Sequence, residues 1–430
     1  MANSQHYRSL VDHAILDTIA RGMTQFDQLI TALPGVYPSV ALDSLRRLVS
    51  REKVPGWIFL NAVRHVKQRR PRRRVTSSHR IVLPIPHPLD YDWRFSDTAI
   101  QYVFDRCLEF SHPGDTVALI GAPSMLRAAI ERRFPRQWVL LDVNQTVTDC
   151  LAKAAPEARI LWCDVRKDPL PELSAALVIV DPPWYEEHMR SFLWAACQLC
   201  AIGGHLLVSL PPVGTRPGIV QEWAHTVDWA QQLGLTLLRL EPATLPYVTP
   251  PFERNTLKAE GLYTILEEWR RGDLAVFILT QQATIPRPLP PGEDEWIEEV
   301  LLGMRIRIRC QQDGDFQDPS LRSLIPGDIL PSVSRREPRR RSADVWTSGN
   351  RIFACQGRHI LRQIVQAVAK GQSPCEAVAA SLNQPLHMQE AKLITRTAHK
   401  IQQIARLEQK EHARFEEGEE YARVAHTSRA

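Results

Sequence analysis

Residues 176–185 read A-L-V-I-V-D-P-P-W-Y: a short aliphatic and β-branched run, then an acid, two prolines and two aromatics. A run of that length and composition suits a parallel strand buried on both faces, and the prolines end it in a stiff loop. Open α/β sheets bind ligands at the carboxyl ends of their strands. The stretch therefore predicts a parallel sheet with a site at Asp181, Pro182, Pro183 and Trp184. A Pro-rich turn carrying an incidental acid is the plainer alternative.

The flanking sequence alternates strands with helices from about 91 to 285, as in a doubly wound sheet. Upstream, T-V-A-L-I-G-A-P-S (116–124) predicts a strand ending at Gly121, where a missing side chain lets a ligand approach the backbone. The next strand ends in Asp142, 21 residues beyond Gly121, a spacing suited to an acid that receives ribose hydroxyls. A third strand, 159–163, ends in Asp164, within reach of an adenine amine. Each acid alone could be a solvated carboxylate, but three at successive strand ends form a register. Downstream, G-G-H-L-L-V-S-L (203–210) reads as a fifth strand, and 235–240 with 274–279 as a closing antiparallel pair. Residues 249–257, T-P-P-F-E-R-N-T-L, read as a substrate loop.

The side chains at the central loop suit one task, which is presenting a flat amine to an electrophilic methyl. Asp181 can accept from an NH2 group, and Trp184 and Tyr185 can stack on a planar or cationic substrate.

At 430 residues the chain needs two or three domains. Residues 1–63 read as three short helices and a β wing over 54–60, a winged helix-turn-helix whose third helix carries Arg46, Arg47, Arg51 and Lys53. Residues 64–90 read as a basic, Pro-rich linker, 286–344 as a Pro-rich charged linker, and 345–430 as a helical C-terminal domain. The net charge of +5 is concentrated. Residues 64–74, R-H-V-K-Q-R-R-P-R-R-R, hold seven Lys or Arg and no acid, so Arg69, Arg70, Arg72 and Arg73 are candidate phosphate contacts. A solvated linker is the alternative there.

The eight cysteines lack framework spacing and read as reduced thiols; the C-x-x-C at Cys197 and Cys200 falls in a helical run and suits core packing, and no metal site is expected. No window offers eighteen apolar residues, and M-A-N-S-Q-H-Y-R-S-L lacks a signal-peptide core. A cytoplasmic protein without a membrane partner is expected, its oligomeric state open.

The run V-A-L-I-G-A-P-S … V-L-L-D-V … L-W-C-D-V-R-K-D-P-L-P … V-I-V-D-P-P-W-Y resembles the probable N6-adenine methyltransferases, a family that includes elongation-factor lysine methyltransferases. The resemblance covers about 92–215 and implies a Rossmann-like class I methyltransferase domain using S-adenosylmethionine. It would place Gly121, Ala122, Asp142 and Asp164 around the donor and put the amine on 181–184, while the winged helix and the Arg runs make nucleic acid the expected partner. The chain also resembles branched-chain polyamine synthases, which put a winged helix before a Rossmann domain and share the D-P-P loop, but carry acids where this chain has A-P-S. The D-P-P-W spelling is similar to that of mRNA adenosine methyltransferases, although there the catalytic motif precedes the cofactor motif. A nucleic-acid-binding protein with an inactive transferase-like domain is the non-enzymatic alternative.

Overall fold

The computed structural model describes residues 2–63, 81–263, 267–290, 292, 294–312 and 314–427. The chain divides into two compact units, each drawn from separated segments. The first comprises Met1–Pro84, Trp93–Thr249 and Tyr263–Pro291; the second comprises Ile85–Asp92, Pro250–Leu262 and Gly292–Ala430.

The first unit begins with helices α1 (Ala2–Ala20), α2 (Phe26–Thr31), α3 (Pro38–Ser50) and α4 (Gly56–Val63). Pro38 opens α3, and Ala41, Leu42, Leu45 and Leu48 form its buried stripe. The expected wing is absent among the described residues, and its apolar run forms α4 instead. Ile58 and Ala62, four residues apart, are the buried face of that helix, while Trp57 and Leu60 remain exposed. A short apolar run fits either period, and here it takes the helical one. The winged helix-turn-helix thus becomes a four-helix module.

The sheet follows in the order β1 (Arg94–Phe95), α5 (Asp97–Phe110), β2 (Thr116–Ile120), α6 (Pro123–Glu131), β3 (Gln137–Asp142), α7 (Gln145–Ala154), β4 (Arg159–Trp162), β5 (Ala175–Val180), α8 (Glu186–Leu199), β6 (Cys200–Leu210), α9 (Ile219–Gln232) and β7 (Leu235–Val248). After α10 (Pro251–Ala259), which belongs to the second unit, β8 (Arg271–Leu279) completes it. Eight strands lie in the order β1-β7-β8-β6-β5-β2-β3-β4. Strands β2 to β6 are parallel, and β8 and β7 close the sheet antiparallel, as expected. Local chemistry sets the helix starts: Ser96 caps α5, Pro123 opens α6, and Asn144 caps α7. The core gathers Val117, Leu119, Leu140, Val178, Val180, Leu207 and Val276 between helices on both faces.

The four-helix module docks on the loop after β6. Tyr7 Oη donates to the Gly214 carbonyl at 2.8 Å, and a Cβ on Gly214 would lie 2.5 Å from the Pro34 carbonyl, so the two backbones touch where only glycine fits.

The expected linker over 286–344 gives way to strands, and the expected helical domain over 345–430 has its helices but joins those strands in a mixed α/β second unit. Strands β9 (Trp296–Leu301), β10 (Met304–Arg309), β11 (Arg322–Ser323), β12 (Val345–Thr347) and β13 (Ile352–Ala354) form an antiparallel sheet ordered β11-β13-β12-β10-β9. Leu302 and Gly303, both at positive φ, make the two-residue turn between β9 and β10. Helices α11 (Arg358–Ala369), α12 (Pro374–Leu382) and α13 (Met388–Thr427) follow, and Ile306, Phe353, Leu361 and Ile401 meet in this unit's core. The expected substrate loop at 249–257 is mostly α10, with Phe252, Thr256 and Leu257 buried in the second unit. Among the described residues no helix is long and apolar enough to cross a membrane.

Candidate transferase site at the strand ends

Strand order reverses between β2 and β5. β3 and β4 extend the sheet to one side of β2, while β5 and β6 extend it to the other. Such a reversal opens a crevice at the carboxyl ends of the two central strands. Gly121 and Asp181 stand on either side of it: Ile120 pairs with Val180, and Asp181 N–H donates to the Ile120 carbonyl at 3.0 Å. Gly121 has φ +68°, and a Cβ there would lie 3.0 Å from the Asp181 carbonyl oxygen. The glycine thus serves two needs at once, a left-handed backbone and room for the neighbouring loop.

The structure brings Gly121, Ala122, Asp142, Asp164 and 181–185 to one end of the sheet on adjacent strands. Asp142 is 9% exposed, and its Oδ1 accepts from Asn144 N–H at 2.8 Å. That bond orients the carboxylate at the end of β3. Asp164 departs from the expectation of reaching an adenine amine. Arg166, two residues on, grips both its oxygens at 2.9 Å and adds a backbone bond. Burial pushes the Asp164 carboxyl up, but the Arg166 bonds and charge outweigh it and the net shift is downward. Asp164 therefore holds its own loop. Arg69, Arg70, Arg72 and Arg73 lie outside the described residues.

The D-P-P loop is held by partners that the motif does not contain. Trp184 Nε1 donates to Ser209 Oγ at 3.3 Å, Ser209 donates to Tyr247 Oη at 2.5 Å, and Tyr247 donates to Asp181 Oδ1 at 2.5 Å. Every donor in this buried line points toward one carboxylate. Burial, then the Asp181 charge, pushes the Tyr247 phenol well above its ordinary value, so it stays a donor at neutral pH. Trp184 is not the exposed stacking platform expected for it. It is 5% exposed, meets Tyr247 edge-on at 5.7 Å, and carries the Arg270 guanidinium 4.1 Å above its ring. Arg270 also lies 4.4 Å from the Trp93 ring, which makes a Trp–Arg–Trp sandwich beside the loop. Tyr185 remains half-buried, with Arg216 6.0 Å from its ring centroid. Its N–H donates to the Pro183 carbonyl at 2.7 Å.

Tyr247, Ser209, Arg270 and Arg166 were not found from sequence. Ser209 did leave a signal, as the one hydroxyl in the apolar strand L-L-V-S-L. Arg166 left another in its D-x-R spacing. Tyr247 left none, because its partner is 66 residues away.

The fold is Rossmann-like. Over 68% of this chain and 95% of the other, it is similar to the branched-chain polyamine synthase from Thermus thermophilus, with 13% identity and a TM-score of 0.51. A mutein of that enzyme, in complex with N4-aminopropylspermidine and 5'-methylthioadenosine, covers the same shares with 14% identity and a TM-score of 0.52. A TehB-like SAM-dependent methyltransferase from Corynebacterium glutamicum aligns over 43% of this chain and 89% of its own, with 13% identity and a TM-score of 0.31. The first two likenesses establish the fold and nothing finer. No protein-family model matches the sequence, and no curated protein matches it. All eight cysteines are free thiols, with Cys197 and Cys200 buried, and no metal-holding cluster occurs among the described residues.

Proposed function

We propose that the chain is an S-adenosylmethionine-dependent transferase that methylates an amine nitrogen, with the exocyclic amine of adenine in DNA or RNA as the preferred acceptor. The observation that carries the reading is the Tyr247-oriented carboxylate of Asp181 at the reversal of strand order, opposite Gly121.

The residues at the crevice fit such a donor. Asp142 would receive the ribose hydroxyls, and the loop after β2 at Gly121 and Ala122 would lie against the donor's amino-acid end. When bound, the donor supplies a methyl group already activated by its sulfonium. What remains for the protein is alignment, which supplies most of the acceleration in such a transfer. Asp181 accepts one N–H of the amine. A prolyl carbonyl of the D-P-P loop is the second acceptor, as proline has no N–H of its own to compete. Two acceptors fix the amine's plane and aim its lone pair, and no strong base is needed at Asp181. Tyr185, half-buried at the mouth, supplies the ring on which a flipped base would rest.

A second reading, aminopropyl transfer to a polyamine, is favoured by the similarity to the polyamine synthase over 95% of that chain. Against it, the Trp184 ring that could receive a cationic acceptor already carries Arg270. The first strand's loop is A-P-S, with no carboxylate to receive a cation.

Calorimetric titration with S-adenosylmethionine, its decarboxylated analogue and S-adenosylhomocysteine separates the readings. Methyl transfer requires binding of the first and third, lost in Asp142→Ala and kept in Asp181→Ala, followed by labelled methyl appearing on RNA or DNA. Preference for the decarboxylated donor would replace this reading with the second. No binding of any of the three would overturn both.

A further inference from the structure

Helix α13 turns two unlike faces outward and inward. Ile394, Thr397, Ile401, Ile404, Ala405 and Glu408 are buried against the second unit. On the opposite side, Lys392, Arg396, His399, Gln403, Arg406 and Lys410 are all exposed. At 3.6 residues per turn these six lie within about 40° of one line, and at 1.5 Å per residue the line runs for about 27 Å. The sequence contains no acid from Ala391 to Leu407, and Glu408 is turned inward onto Thr347, Ser348 and Arg351.

A solvated helix face normally mixes both signs, because Glu and Lys a turn apart stabilise one another. This face carries one sign only. Among the described residues no ion pair engages Lys392, Arg396, Arg406 or Lys410. Lys400, at the edge of the stripe, is different: its Nζ donates to the Leu321 carbonyl and sits over the Phe353 ring, so it serves the fold. An open depression of about 720 Å³ lies along the first half of the stripe, lined by Lys392, Thr395, Arg396, His399 and Gln403 among others.

We infer that this face of α13 binds the phosphate backbone of a nucleic acid. The stripe's length matches about eight phosphates at the 3.4 Å per-strand rise of a duplex. A membrane surface is the poorer fit, since an interfacial helix needs a broad apolar face beside its cations, and here that face is buried in the protein. The inference rests on the nucleic-acid half of the proposed function and is independent of the donor. It also assigns the contact to a different helix from α3, where Arg46 pairs with Asp43 and Arg47 with Asp12.

The test is fluorescence anisotropy of the full chain with labelled 20-nucleotide single strands and duplexes, without donor, between 50 and 200 mM salt. Lys392→Ala/Arg396→Ala should weaken binding about tenfold at the lowest salt and flatten the log–log salt slope by about 1.4 to 1.8. Lys153→Ala/Arg159→Ala, on exposed positions elsewhere, removes the same charge and should change neither much. Equal losses in both pairs, no loss in the α13 pair, or no binding by the unsubstituted chain would each overturn the inference. So would binding to anionic phosphatidylserine vesicles without binding to nucleic acid. Calorimetric donor titration of the α13 pair separates the two claims. Donor binding should be unchanged there, and its absence in the unsubstituted chain would sink the transferase reading without touching this surface.

Discussion

At Asp181 a line of neutral donors, Trp184, Ser209 and Tyr247, converges on a carboxylate that is partly open to solvent. At Glu408, in the second unit, a carboxylate with no exposure is enclosed by Thr347, Ser348, the Gly349 N–H and the Arg351 guanidinium, which also binds Glu411. Burial pushes Glu408 upward despite Arg351, so this cluster is one where charge is costly and every partner is needed. The two clusters use the same chemistry to opposite ends. At Asp181 aligned hydroxyls fix the direction of a carboxylate that still reaches solvent, whereas at Glu408 a full shell encloses the charge within the fold.

Breaking the enclosed cluster should have the largest effect. Arg351→Met leaves Glu408 and Glu411 without their countercharge and should cost about 3–5 kcal/mol, read by urea unfolding at neutral pH. A loss below about 1 kcal/mol would mean that the shell is not what holds this part of the second unit.

His87 sharpens the contrast through pH. Its Nε2 faces the Trp346 carbonyl at 3.1 Å and its Nδ1 accepts from Leu89 N–H at 3.1 Å, so the neutral ring is fully matched and a second proton would face an N–H. Burial, partly offset by Asp90, lowers its pKa from 6.5 to about 3. The unfolded chain takes up that proton as pH falls below 6.5, and the folded chain does not. The contribution is therefore complete above 6.5 and lost on descending toward 3, at about 1.4 kcal/mol per unit. Unfolding free energies at pH 6 and pH 4 should differ by about 3 kcal/mol more in the unsubstituted chain than in His87→Gln.

The open cluster should respond in rate rather than in stability. Tyr247→Phe removes only the hydroxyl that aims Asp181, and should lower kcat about 10- to 100-fold with little change in KM for the donor. A uniform rise in KM with kcat intact would make Tyr247 a packing residue.

Gly121→Ala tests the meeting of the two central strands. A Cβ at φ +68° facing the Asp181 carbonyl should cost about 1–2 kcal/mol by thermal unfolding, and should impair transfer even where the protein folds.

The parallel sheet and the register of its acids were legible because β3, β4 and β5 are short apolar runs that each lead into an aspartate, and D-P-P cannot continue a strand. Where the reading failed, two signals competed. In P-G-W-I-F-L an apolar run too short to show a period became α4 rather than a wing. In M-R-I-R-I-R the strict alternation of β10 was hidden by its charge, and the segment read as linker. Those arginines are largely engaged: Arg305 is 1% exposed and meets Asp90 and Glu298. Pairings between distant segments, Tyr247 with Asp181 or Arg305 with Asp90, leave no local trace, because topology alone creates them.

The interleaving of the two units bears on how the chain is made. Pro250–Leu262 leaves the ribosome before any residue of Gly292–Ala430, yet its Phe252, Asn255, Thr256 and Leu257 are buried in the unit which that later stretch completes. Until synthesis passes the β-hairpin at 296–309, these side chains have no native surroundings. A chain stopped at residue 291 would carry them in that state permanently. Vectorial folding would therefore finish the sheet that bears Asp181 with an unsatisfied insert between its last two strands, and chaperone dependence during translation should track the completion of the second unit rather than of the first.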